Sequence, residues 1–153
     1  MAYKGKWKPK NLEKYEGNPF NITYRSLWER KAFKWCDENP KVRSWSSEEI
    51  VIPYILKTDG KRHRYYPDLK ITYTDGRTAL IEIKPKRQTR PPKIKARKGP
   101  KYIKEVYAYG MNTSKWEYAK EYAKDRGWVF EIWTEDELKE KGIRIINSSK
   151  KYK

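Results

Sequence analysis

Apolar and polar positions change period several times along this chain, and each change marks an element. Residues 1–22 follow neither period. Gly5, Pro9, Gly17, Pro19 and five lysines interrupt every run, so the segment reads as an extended basic arm pinned by Tyr3, Trp7 and Tyr15. Thr23 is placed to cap a helix running to Glu38, with Leu27, Trp28, Phe33 and Trp35 as its apolar positions and Asn39-Pro40 as its stop. Glu49 to Leu56 is strand-like, and its Pro53 points to an edge or a bulge. After the turn Lys57-Thr58-Asp59-Gly60-Lys61, a second strand runs from Arg64 to Thr72. Thr74-Asp75-Gly76-Arg77 then turns the chain into a third, Thr78 to Lys84.

Helical spacing returns later. Tyr102 to Tyr109 begins one helix, and Thr113-Ser114 caps a second from Lys115 to Arg126, with Trp116, Ala119, Tyr122 and Ala123 on one face and Gly127 closing it. Trp128 to Trp133 is a fourth strand, joined to the sheet by the helical crossover. Thr134-Glu135-Asp136-Glu137 opens a short last helix as a capping box. Ile143, Ile145 and Ile146 suggest a final short strand, and 147–153 a frayed tail. The sum is one α/β domain over residues 1–153, a mixed sheet of about four strands with flanking helices.

Composition narrows what such a domain does. Lys and Arg number 37 against 20 Asp and Glu, a formal charge of +17, while 15% of residues are aromatic. A disordered basic tail lacks those aromatics, so this is a folded core under a cationic surface whose fitting partner is a polyanion. The longest apolar run, about Ile50 to Leu56, is too short to span a bilayer, and the N-terminus lacks a secretory pattern. A cytosolic protein with no membrane partner is expected. One cysteine, Cys36, excludes a disulfide framework and cysteine-rich zinc sites; it suits a small buried hydrophobe. One histidine, His63, excludes zinc sites built on paired histidines and reads as a polar strand or turn residue.

Acids in so basic a chain stand out where they cluster. If the Asp75-Gly76 hairpin has a three-residue loop closed by Tyr73 and Arg77, paired residue numbers sum to 150 and Asp68 lies across from Glu82. Glu82 and Lys84 share a face because strand side chains alternate. A two-residue loop would instead set Asp68 against Ile83. Two carboxylates this close repel unless a cation sits between them, and Mg²⁺, with Mn²⁺ as the alternative, suits a pair of carboxylates plus water. Such a site activates water for attack on phosphorus, with Lys84 orienting or deprotonating the water. Glu29, in the first helix, is placed to complete or share the metal site. Glu48, in Ser46-Ser47-Glu48-Glu49, is a further acid on the first strand. The bland alternatives are a strand-end acid, a surface cross-strand ion pair and a solvated helix glutamate.

Pro67-Asp68, thirteen residues, then Glu82-Ile83-Lys84 resembles the PD-(D/E)XK nuclease motif, with Glu29 matching that fold's N-terminal helix acid. More closely, the chain resembles the head completion nucleases of T4-like bacteriophages. The stretches that carry this include Gly5-Lys6-Trp7, Ile22-Thr23-Tyr24-Arg25-Ser26, Trp28-Glu29, Val51-Ile52-Pro53-Tyr54, Ile81 to Lys86, Lys115-Trp116 and Thr134-Glu135-Asp136. The resemblance implies a restriction-endonuclease-like core and a metal-dependent endonuclease. It implies catalytic Asp68, Glu82, Lys84 and Glu29, with the three acids on the metal. It also implies action on phage DNA in head completion or packaging, in the cytoplasm of the infected bacterium, with virion association and head or portal proteins as further expectations.

Between Lys84 and Lys104 there are ten basic residues and no acid, and four prolines keep its first part from being helical. Lys86, Arg87, Arg90, Lys93, Lys95, Arg97 and Lys98, with Arg25, are the expected contacts to double-stranded DNA. Phosphate contacts of this kind bind without sequence selectivity and weaken with salt. Arg25 and Ser26 can equally support Glu29 or cap the helix. Two rivals stay open: a DNA-binding or portal-binding assembly protein on an unused nuclease fold, and a resolvase or transposon-end nuclease of the same fold.

Overall fold

The computed structural model describes residues 4–94 and 98–145. Its first strand, β1 (Gly5–Trp7), pairs antiparallel with β2 (Ile22–Tyr24), so the segment expected as an extended arm is folded onto the domain. Trp7 meets Phe33 and Trp45 edge-on at 5.8 and 5.7 Å, and buried Tyr15 meets Trp45 at 4.8 Å. The buried Asp37 carboxylate accepts the backbone N–H groups of Lys10 and Asn11 at 3.0 and 3.2 Å. Single aromatics spaced among lysines leave no period to read, which is why the sequence pattern hid this docking. Tyr3 lies outside the described residues.

Helix α1 (Leu27–Glu38) is capped by Ser26, not Thr23, which belongs to β2; it ends before Pro40 as expected. Strand β3 (Val42–Ser46) follows, unread in the sequence because a bulge between Val42 and Ser44 breaks its alternation and lets both Val42 and Trp45 point inward. The expected strand from Glu49 shortens to β4 (Ile52–Ile55), and the one from Arg64 divides into β5 (Arg62–Tyr65) and β6 (Leu69–Tyr73) at Tyr66-Pro67-Asp68. β4 and β5 form a separate two-stranded ribbon with Pro53 exposed opposite Arg64. β6 pairs with β7 (Thr78–Ile83) through Leu69↔Ile81, Ile71↔Ala79 and Thr72↔Thr78. This is the register of the three-residue loop: the Tyr73 N–H donates to the Arg77 carbonyl at 2.8 Å, and Gly76 takes the φ of +93° that the turn needs.

The later helices merge. α2 (Pro100–Asp125) is one helix of 26 residues starting on Pro100. Thr113 and Ser114, expected as a cap, lie inside it, with the Thr113 hydroxyl donating to the Gly110 carbonyl at 3.0 Å. β8 (Val129–Trp133) then pairs parallel with β7, and α3 (Glu135–Glu140) opens on the Thr134–Glu137 capping box. Ile143 is buried without forming a strand, and Ile146 and the tail lie outside the described residues.

The main sheet runs β3–β6–β7–β8, three strands antiparallel and one parallel, so the chain is mixed α/β as expected. Phe33, Cys36, Trp45, Ile71, Ala79, Ile81 and Ile83 fill the core on the α1 side, while Leu80 joins Ile52, Tyr54, Tyr65, Trp116 and Ala119 on the α2 side. Alternation along β7 therefore brings Glu82 out on the α2 side, at the end of the sheet where Tyr66-Pro67-Asp68 departs. Among the described residues no helix is long and apolar enough to cross a membrane.

Candidate active site

The paired positions of β6 and β7 end at Leu69↔Ile81, and one step further sets Asp68 beside Glu82. Asp68 is fixed there by the Ile83 N–H, which donates to its Oδ2 at 2.7 Å. Glu82 is held by the Tyr65 hydroxyl, which donates to Oε1 at 2.6 Å, and its Oε2 lies 3.7 Å from the Lys84 Nζ. Lys84 continues the β7–β8 pairing by one bond, its N–H donating to the Trp133 carbonyl at 3.0 Å.

Glu29 arrives from the first turn of α1. Its Oε1 accepts the Arg25 N–H at 3.2 Å and its Oε2 accepts the Ser26 hydroxyl at 3.3 Å, while Ser26 Oγ accepts the Glu29 N–H at 3.2 Å. Helix capping and delivery of the carboxylate to the sheet end are thus one arrangement. Glu48 arrives from the end of β3 with φ of +55°, a left-handed conformation that a residue with a β-carbon rarely takes. The Arg25 guanidinium holds both Glu48 oxygens, Nε to Oε2 at 2.8 Å and Nη2 to Oε1 at 3.0 Å.

One carboxylate oxygen from each of Glu29, Glu48 and Asp68 lies within 4.8 Å of the others. Burial, then the charges of Glu82 and Glu29, drive the Asp68 carboxyl well above its ordinary range. Burial first, with Glu48 and Glu82 adding, raises Glu29, and burial raises Glu82 against the pull of Tyr65, Lys84 and Lys115. Lys115, from the middle of α2, faces the same spot; burial, with the neighbouring Lys84 charge, lowers its ammonium, whose Nζ sits 5.7 Å from the Tyr65 ring centroid. An all-oxygen set of three carboxylates, under-neutralised by one guanidinium, fits a hard divalent cation such as Mg²⁺.

This crowding has a measurable consequence. Each raised carboxyl binds its proton more tightly in the folded chain than in the unfolded one. Its contribution to stability is therefore full below the ordinary carboxylate range and is lost as pH rises through the raised value. At neutral pH and without divalent ions the cluster destabilises the fold. Asp68→Asn is expected to melt higher than the wild type at neutral pH in a chelator, by ~2–4 °C per kcal/mol relieved. The gap should close as pH falls into the ordinary carboxylate range. Scanning fluorimetry across pH checks this, and a wild type that melts higher than the variant at neutral pH would contradict it.

Of the residues expected from the sequence, Asp68, Glu82, Lys84 and Glu29 converge at this end of the sheet. Arg25 is engaged with Glu48. Lys86 is tied to α3: its N–H donates to Glu135 at 2.7 Å and its Nζ pairs with Asp136 at 2.8 Å. Arg87, Arg90 and Lys93 border a cleft against α2, Lys98 is exposed, and Lys95 and Arg97 lie outside the described residues. His63 pairs with Asp59 at 2.8 Å at the ribbon's turn. Sequence reasoning missed Tyr65 and Lys115 and gave Glu48 too little weight. Two adjacent acids, Glu48-Glu49, just beyond β3 were the available signal for Glu48.

The model of the TnsA-like endonuclease N terminal matches residues 39–135. That span takes in Glu48, Tyr65, Asp68, Glu82, Lys84 and Lys115, and leaves Arg25 and Glu29 outside. The head completion nuclease of Enterobacteria phage T4 is 43% identical over 148 residues, covering 94% of this chain and 99% of that protein.

Proposed function

The chain belongs to the TnsA-like endonuclease family, and from that premise we propose that it hydrolyses phosphodiester bonds of double-stranded DNA in a Mg²⁺-dependent reaction with little sequence selectivity. Its likeness to the T4 head completion nuclease supports a place for that cutting at head completion, in the cytoplasm of an infected bacterium. The observation that carries the chemistry is the convergence of Glu29, Glu48 and Asp68 within 4.8 Å, beside the Glu82–Lys84 pair, in a chain of net charge +17.

In this reading Glu29, Glu48 and Asp68 hold the cation, with Glu82 as the adjoining carboxylate. When bound, the cation supplies charge neutralisation at the phosphoryl oxygen and a lowered pKa for water. Asp68 keeps its aim through the Ile83 N–H, and Arg25 keeps Glu48 turned inward. Tyr65 occupies one Glu82 oxygen, which leaves the other toward Lys84. The Lys84 ammonium orients the attacking water and offsets the negative charge that grows on phosphorus in the transition state. The cations after Lys84 hold the backbone, a contact that reads no bases.

The test is cleavage of supercoiled and linear duplex DNA at low salt. Conversion of supercoiled plasmid to nicked and linear forms with Mg²⁺, abolished by chelator and falling steeply with added salt, is expected. Binding without cutting in either Mg²⁺ or Mn²⁺ would overturn the reading and leave a DNA-binding assembly module on a nuclease fold.

A further inference from the structure

Three residues beyond Lys84 the chain enters the wall of a cleft of about 630 Å³. Arg87, Arg90 and Lys93 line it from the loop, and Lys101, Lys104 and Tyr109 from α2, against a single acid, Glu105. Among the described residues none of these five cations is in an ion pair, and the Tyr109 ring has no aromatic partner. The α2 contribution is a regular face: lining positions 101, 104, 105, 108, 109 and 112 recur at three- and four-residue spacing. That face is free because the buried residues of α2 begin only at Ser114. Pro91 and Pro92 stiffen the opposite rim and offer no N–H donors, so recognition falls to side chains.

Unpaired cations around a half-buried tyrosine, along a half-open cleft, match a channel for single-stranded nucleic acid: charge tracks the phosphates and the ring stacks on a base. Cations alone would hold the phosphates of a duplex as well; the tyrosine ring among them is what favours a strand whose bases are exposed. We propose that the cleft between the Arg87–Lys93 loop and the first turns of α2 binds a single-stranded segment of the substrate DNA, the strand continuing past the phosphate held near Lys84. This rests on the nuclease reading. It adds that DNA with a frayed, overhanging or branched end is the preferred substrate.

Anisotropy of a labelled oligothymidylate and of a blunt duplex of equal length, both in chelator, tests it with wild type, Tyr109→Ala and Lys104→Glu. Tyr109→Ala is expected to weaken single-strand binding about tenfold while leaving duplex binding nearly unchanged. Lys104→Glu should weaken single-strand binding more than duplex binding. Circular dichroism confirms each fold, and if Tyr109→Ala loses helix the Lys104 variant alone decides. Equal losses on both DNA forms, or no loss on the single strand, overturn the inference. Mg²⁺-dependent cutting of duplex by the wild type is scored separately. Cutting with no single-strand effect removes only the cleft. A wild type that binds but never cuts removes the nuclease reading.

Discussion

Asp68→Asn is expected to abolish cutting, lowering the rate by at least ~10³-fold, while the chain stays folded and still binds DNA. The substitution is close to isosteric, and an amide oxygen still accepts the Ile83 N–H that Asp68 accepts at 2.7 Å. What it removes is one negative charge from a site whose three converging oxygens lie within 4.8 Å of one another. Two readouts separate this from a structural effect. In wild type, Mg²⁺ is expected to raise the melting temperature by binding the folded form alone, and the variant to lose most of that rise. In chelator, the variant melts higher than the wild type, since the Asp68 carboxylate was destabilising there. A variant that cuts at near wild-type rate would remove Asp68 from the chemistry.

Lys84→Ala is the second large effect. A positioned group that moves or orients a proton contributes ~10²–10⁴-fold, and a loss of that size is expected. Lys84→Arg should not restore the rate, because a planar guanidinium does not fit the compact position 3.7 Å from Glu82. DNA binding should weaken only slightly, with the salt slope reduced by about one, since one cation of many is removed. Single-turnover cutting at saturating protein separates the two. A variant whose rate recovers at saturation would make Lys84 a binding residue and leave another group to serve the water, with Lys115 a neighbouring cation.

The parts of this site that sequence reasoning reached are those set by short-range rules. Asp75-Gly76 signals the hairpin and allows two registers; the Tyr73–Arg77 closure seen in the structure selects the one that brings Asp68 to Glu82. Period-two alternation then puts Lys84 on the Glu82 side. Ser26, three residues before Glu29, carries a cap signal of the same local kind, although the expected cap was Thr23. Where these rules stop, the reading fell short. The Arg64–Thr72 run was taken as one strand because its composition is continuous, and nothing in it shows that Tyr65 belongs to a ribbon packed on α2 while Leu69 belongs to the main sheet.

Glu48 and Arg25 show the same limit from the other side. Arg25 has the chemistry of a phosphate ligand, and only the left-handed turn at Glu48 brings it a carboxylate to hold. Lys115 sits beside Trp116 on a helix, where the spacing tells which face is buried but not which acid the neighbouring position meets.

The α/β class, the cationic surface, the stop of α1, the capping box of α3 and the presence of the Asp75-Gly76 hairpin were legible in the sequence, with two loop lengths left open for its register. All of these depend on charge count or on residues a few positions apart, whose geometry the backbone dictates. Tertiary structure alone decided the docking of residues 5–24, the bulged β3, the ribbon, and the arrival of Glu48, Tyr65 and Lys115 at the site. Those depend on burial of Trp45, Tyr15, Trp116 and Leu80 between elements far apart in the chain, where the packing of one face selects a position that no local pattern encodes.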